Sequence, residues 1–445
     1  MTVTDGKDKD MTKKISALLA VCAVILSAAC GNTTATETPT ETQQIAPADD
    51  TAWEVTTAAA TEKTIPEDAP YVISEGITDR MKALANLIDG NKARLAKVFK
   101  KAQSGEPITV AYLGGSITQG SSAGPDTCYA YLTTQWLKEK FPQSEITYVN
   151  AGIGATGSYI GVFRTDRDVL SQSPDLVFVD FSVNDTTEHT ERNIASYDGV
   201  LRKLWAADSK PAIVTIAMTQ DDGTSFQQYH SEICEAYDIP MISYHDAIMD
   251  VIEKGHIKWT DISDDNIHPN VTGHSVLTEI VTSYLDKVLS ELDSIDTENE
   301  SDLSLPYATD KYATARLITP GSSEVTDSTG WEEVTDRKFG NFGGYWYVQS
   351  KSGDFEDVEP LTFEVDAKSV GIFYGKVVSN GGRFDILVNG MAMNTIDTAF
   401  RGGWGDYVEA EEIIEFKEPG KNTIQIVPKK GEKTAITICA LAVTE

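Results

Sequence analysis

The chain has 445 residues, 41% of them apolar, and a formal net charge of −31. That length exceeds what one hydrophobic core usually organises and implies two or three domains. The charge excludes nucleic acid and anionic membrane surfaces as partners, because both would be repelled, and leaves neutral or cationic substrates.

At the N-terminus, Lys13 and Lys14 precede an apolar stretch from Ile15 to Ala29 that is too short to span a bilayer comfortably, so residues 1–29 read as an export signal. The stretch ends in Leu26-Ser27-Ala28-Ala29-Cys30, which resembles the lipobox of bacterial lipoproteins, with Ser27 where an aliphatic residue is usual. The resemblance implies lipidation of Cys30 and an exported protein anchored at the bacterial cell surface; secretion is the alternative. Membrane contact is expected only through that anchor. Residues 30–69 are mostly Thr, Ala, Glu, Pro and Asp, a composition that cannot offset its own ordering entropy, and read as a tether. The five cysteines (Cys22, Cys30, Cys128, Cys234, Cys439) show neither metal-type nor disulfide-framework spacing.

Helical periodicity begins near Ser74 and runs through Leu84, Leu87, Ile88, Leu95, Val98 and Phe99 until Gly105 and Pro107 stop it. A buried strand follows from Ile108, ending in Gly114-Gly115-Ser116. Further apolar strands are predicted near 146–150, 175–181, 211–218 and 240–244. They alternate with helices near 129–140, 160–170, 194–206, 226–237 and 271–292. This grammar predicts a three-layer, flavodoxin-like α/β domain over 70–292, with five parallel strands between helices. Residues 293–305 are polar and acidic and read as a linker. Beyond them, short alternating runs (361–365, 370–374, 383–388, 412–416, 423–427, 435–439) predict a C-terminal all-β, jelly-roll-like sandwich over 306–445.

Three further stretches fall at the carboxyl ends of predicted strands, where an open α/β sheet keeps its site. They are Asn150-Ala-Gly-Ile-Gly-Ala-Thr-Gly157, Ser182-Val-Asn-Asp185 and Asp265-Asn-Ile-His-Pro269. With Gly114-Gly-Ser-Ile-Thr118 they resemble, in order and spacing, the four motif blocks of the SGNH or GDSL hydrolases, over about residues 90–292. The chemistry needs these types together. A serine hydroxyl is a poor nucleophile at neutral pH and requires a base, and the resemblance supplies His268. Asp265, three residues earlier, is close enough for one turn to bring its carboxylate to the imidazole. The resemblance assigns Ser116, Asp265 and His268 as the triad, and the backbone of Ser116, the backbone of the second block and the Asn184 amide as oxyanion donors. In the second block Ala155 stands where glycine is usual, and it serves as donor if its φ is negative; Gly154 is the neighbouring alternative. Gly115 stands where the name-giving Asp usually does. His189, His230, His245, His256 and His274 lack this context and read as structural or surface residues, with His274 able to line the same face of the last helix.

Gly152-Ile-Gly-Ala-Thr-Gly157 also matches a dinucleotide fingerprint, but it follows the second strand rather than the first, and an exported protein meets no supply of nicotinamide. A G-x-S-x-G elbow fails at Thr118. No cofactor and no metal are expected. The expected activity is hydrolysis of O-acyl, above all O-acetyl, esters on a polysaccharide or oligosaccharide. The alternatives are lipase, lysophospholipase or thioesterase chemistry in the same family, or a non-catalytic glycan-binding lipoprotein. Trp346, within Tyr345-Trp-Tyr347, and Trp404 are expected in turns, where they could stack on sugars, and Trp259 is expected to floor the catalytic cleft. Residues 306–445 hold no histidine, so the sandwich is expected to serve substrate choice and to be separable from small-ester hydrolysis.

Overall fold

The computed structural model describes residues 64–186, 189–431 and 433–445. The expected export signal, Cys30 and most of the tether lie outside the described residues. The α/β part begins with α1 (Asp79–Ala85), β1 (Asn86–Ile88) and α2 (Ala93–Gln103), then β2 (Ile108–Gly114), α3 (Ser116–Gln119), α4 (Tyr129–Lys140), β3 (Ile146–Gly152) and α5 (Ser158–Asp168). It continues with β4 (Leu176–Asp180), α6 (Thr190–Ala206), β5 (Ala212–Ala217), α7 (Gln227–Tyr237), β6 (Met241–Ser243), α8 (Tyr244–Glu253), α9 (Trp259–Ile262) and α10 (Val271–Glu291). The sheet order is β1-β6-β5-β4-β2-β3. The five expected strands run parallel. Their near-continuous apolar runs suit a sheet buried on both faces: every residue of β4 and β5 is buried. Alternate side chains of β2 point to opposite cores, Val110 and Tyr112 toward α2, α4, α8 and α10, Ala111 and Leu113 toward α5, α6 and α7.

The sixth strand is a correction. The periodic run from Ser74 is not one helix; it breaks at Asn86–Ile88, which pairs antiparallel with β6 at the sheet edge. Gly90, at φ +60°, turns the chain back there, and a Cβ on it would lie 2.4 Å from the Pro240 nitrogen.

The C-terminal part contains β7 (Arg316–Ile318), β8 (Val325–Asp327), β9 (Glu332–Phe339), β10 (Gly343–Gln349), β11 (Leu361–Lys376), β12 (Arg383–Val388), β13 (Met391–Asp397), β14 (Tyr407–Pro428) and β15 (Ala435–Thr444). It differs from a two-sheet sandwich in one respect. Four of the predicted short strands fuse into β11 and β14, and the hydrogen bonding runs unbroken through β13-β12-β14-β11-β15-β10-β9, with β7 on β15 and β8 on β11. Its core gathers Trp346, Phe363, Phe384, Ile424 and Ile438. Trp346 is therefore no sugar platform. It lies within β10 rather than in a turn, is 0% exposed and packs edge-on against Phe363 at 5.3 Å.

Residues 293–305 and the β domain lie packed against the α/β part. The described residues pack as one unit. A single apolar core joins Tyr159, Phe163 and Tyr197 of the first part to Phe373, Val408, Cys439 and Ala442 of the second. The Phe373 ring meets Tyr159 at 5.9 Å and Phe163 at 5.7 Å. Residues 293–305 are strapped down: Glu300 pairs with Arg94 and Lys97, Leu303 is buried, and Tyr237 donates to the Leu305 carbonyl.

Candidate active site

Strand β2 ends in two glycines because the backbone there has close neighbours. A Cβ on Gly115 would fall 2.0 Å from Asn184 Oδ1, so a side chain there would have to displace the Asn184 amide from its present place. The turn releases Ser116 at the start of α3, with its Oγ 2.9 Å from His268 Nε2. His268 Nδ1 lies 2.8 Å from Asp265 Oδ2. The other carboxylate oxygen, Oδ1, accepts from the backbone N–H groups of Ile267 and His268, both at 2.7 Å, so one tight turn closes the Asp-x-x-His pair. Burial opposes ionisation of Asp265, but the hydrogen bonds from His268 and Ile267 outweigh it and hold the carboxyl below its ordinary range. Ser263 Oγ fastens the same turn by donating to the His268 carbonyl at 2.6 Å.

Trp259 is placed differently from expectation. Its indole N–H donates to the Asp265 carbonyl at 2.6 Å and its ring packs on the apolar core, so it braces the carboxylate turn from behind and does not floor the cleft. In the second block the Gly154 N–H is committed to Gln119 Oε1 at 2.7 Å, which removes the neighbouring alternative. Ala155 borders the cavity with φ +59°, so the condition of a negative φ fails, and its N–H stays available as a donor because the residue takes the left-handed backbone that a glycine there would adopt freely. That conformation costs a non-glycine residue about 1 kcal/mol. The second and third blocks are locked together by buried Asp185, whose Oδ1 accepts from Ser158 N at 2.8 Å while Oδ2 sits 3.0 Å from His230 Nε2. His230 is thus structural, as is His274, whose Nδ1 accepts from Tyr129 N and whose imidazole burial pushes down to about 4.

Ser116, His268, Asp265, Ala155 and Asn184 open into one cavity of about 750 Å³. Its far wall comes from the β domain: Asn341 beyond β9, and Trp404, Asp406 and Tyr407 around the start of β14. Trp404 is 71% exposed and stacked on Tyr407 at 5.0 Å.

Two supporting residues went unnoticed in the sequence. Arg164, fully buried, donates to the carbonyls of Gly114 and Ala151, so one guanidinium pins the ends of the strands that carry Ser116 and the Ala155 loop. Burial lowers it to about 10, which leaves it charged at neutral pH, with Asp168 as its partner. The available signal was an arginine one turn after Ile160, on the buried side of an otherwise apolar helix start. Asp180, at the end of β4, lies 3.4 Å from Thr118 Oγ1 beneath the serine turn, and burial pushes its carboxyl up to about 7.

Such an arrangement can carry acyl transfer: a hydroxyl against an imidazole, an imidazole held by a carboxylate, and Ala155 and Asn184 bordering the same cavity as the hydroxyl. Residues 112–276 match the GDSL-like lipase/acylhydrolase family. A two-domain esterase active on acetylated mannans, co-crystallised with mannopentaose, shares 30% identity at a TM-score of 0.73, over 81% of this chain and 97% of that one. The chain belongs to the GDSL-like lipase/acylhydrolase family. A second structure of a two-domain esterase active on acetylated mannans gives 31% identity and a TM-score of 0.72, over 80% and 96% of the two chains. No curated protein matches. A GDSL hydrolase of this kind cleaves ester bonds, and here the family domain and the antiparallel β domain both extend through the likeness.

Proposed function

We propose that the protein is an exported serine esterase that removes O-acetyl groups from an uncharged polysaccharide or its oligosaccharides. The observation that carries the reading is the Ser116–His268–Asp265 relay facing a cavity whose opposite wall is an exposed tryptophan. His268 Nε2 takes the Ser116 proton as Oγ attacks the ester carbonyl, and Asp265 stabilises the imidazolium that forms. The developing oxyanion meets the backbone N–H groups of Ser116 and Ala155 and the side-chain amide of Asn184; losing one such donor costs about 10²–10³ in turnover. As the intermediate collapses, the bond from the acyl carbon to the sugar oxygen breaks, and His268 passes the proton to that oxygen, which leaves as a hydroxyl. Water activated by the same imidazole then cleaves the acetyl-serine and releases acetate.

The glycan reading rests on the Trp404–Tyr407 pair, whose open faces suit stacking on sugar rings, on the relative crystallised with mannopentaose, and on a charge of −31 that disfavours polyanions. Chromogenic esters of increasing acyl length test it: kcat/KM should be greatest for acetyl and fall with chain length, whereas a preference for eight or more carbons would favour a lipase. Export and anchoring rest on residues 1–30 of the sequence. Replacing Cys30→Ser should release the protein from the membrane fraction or block its processing, and wild-type protein found only in the medium would point to secretion.

A further inference from the structure

The catalytic cavity has a neighbour that neither the triad nor the Trp404 wall uses. A second cavity, of about 530 Å³, lies along the seam between the two domains and shares Gln119, Ile153 and Asn341 with the first. Its floor is Ala151–Ile153, the stretch that leads into the Ala155 loop, so anything lying there adjoins the reacting centre. Its walls are two tyrosine rings from the α/β domain, Tyr131 and Tyr148, set edge to face at 5.9 Å, with Asp126 at the rim and Lys338 and Asn341 facing them from the β domain. Beyond Lys338 and Phe342 a shallower depression of about 290 Å³ continues the seam toward Pro320 and Thr335. The three adjoining depressions together exceed one sugar ring in extent.

We infer that this seam is a second glycan-binding arm, which holds the uncharged sugars on one side of the acetylated residue while the Trp404–Tyr407 face holds those on the other. The inference rests on the esterase reading and deepens it: the substrate is the interior of a neutral chain, not a terminal sugar. The chemistry of the arm selects that class. Tyrosine rings offer faces for pyranose C–H groups, and Asp126, Lys338 and the Asn341 amide, whose side chains make no hydrogen bond or ion pair among the described residues, supply acceptors and donors for hydroxyls. Along the seam Lys338 and Arg167 are matched by Asp126 and Asp168, and the chain as a whole is strongly acidic, so a polyuronate gains no net attraction. Flexible exposed side chains at the rim also suit a substrate that binds through many weak polar contacts.

The test uses the wild-type protein, the double variant Asp126→Ala/Lys338→Ala, and acetylated neutral oligosaccharides from two to six sugars, with acetate release as readout. The replaced side chains are exposed and carry no contact that the fold needs. Wild-type KM should fall about tenfold as the chain lengthens, equivalent to about 1.4 kcal/mol. The variant should lose most of that gain, seen as a lower ratio of hexasaccharide to chromogenic-acetate kcat/KM, and an acetylated polyuronate of equal length should show no gain. A wild-type KM independent of chain length, or a full gain in the variant, overturns the second arm while the esterase reading stands. Chromogenic acetate cleaved with no acetate released from any glycan overturns the glycan reading and the arm with it.

Discussion

Ala155 and Asp180 show what the serine turn asks of single residues. With φ +59°, Ala155 adopts a backbone that glycine carries without strain, so Ala155→Gly should stabilise the fold by about 0.5–1 kcal/mol and leave the N–H in place. Thermal unfolding checks this, and a lower Tm would refute the strain. Asp180 is held protonated by burial up to about 7, whereas an unfolded chain releases that proton near 3.8. Between those values the folded state binds more protons than the unfolded one. The contribution is thus complete below about pH 4, declines as pH rises to about 7 and is level above, a loss on the order of 2–4 kcal/mol. Asp180→Asn should remove it, so the variant gains on wild type between pH 5 and pH 8 in urea unfolding; parallel behaviour at both pH values would show that Asp180 ionises freely. The triad was legible because its residues sit in contiguous motifs. Arg164 and Asp180 were not, because their roles arise from burial beneath strands distant in sequence.

Among elements, long apolar runs and helices with a clear buried face were readable, and α4 and β12 fall at their predicted bounds. What failed were places where pairing across the fold overrides local pattern. Asn86–Ile88 continues a helical period yet becomes a strand because β6 offers an open edge, and the Asp89–Asn91 turn allows it. Likewise β11 and β14 read as four short strands because a bulge between Ala367 and Ser369 and another between Val370 and Gly371 interrupt their alternation without ending the ladder. Gly90→Ala tests the edge strand: left-handed strain and a 2.4 Å approach to Pro240 should together cost more than about 2 kcal/mol. A variant as stable as wild type would mean that this turn is free to move.

For the whole molecule, the catalytic domain and the β domain are one structure with a site along their seam. The aromatic core of Tyr159, Phe163, Tyr312 and Phe373 would be opened by removing the β domain, and the far wall of the cavity would go with it. Truncation after Ser304 should therefore give insoluble or unfolded protein and lose small-ester hydrolysis as well as activity on glycans; a soluble, fully active truncation would show that the shared core is dispensable. Composition cannot reveal such an interface, since its apolar residues look like those of any domain core. The proposed hydrolysis of a neutral acetylated glycan depends above all on Ser116 as nucleophile. Its most direct test is acetate release from an acetylated neutral oligosaccharide by wild-type protein and by Ser116→Ala, with matching circular dichroism and Tm. Wild-type protein should release acetate and the variant should lose at least about 10³-fold of that activity; undiminished release by a natively folded Ser116→Ala protein would rule out Ser116 as the nucleophile.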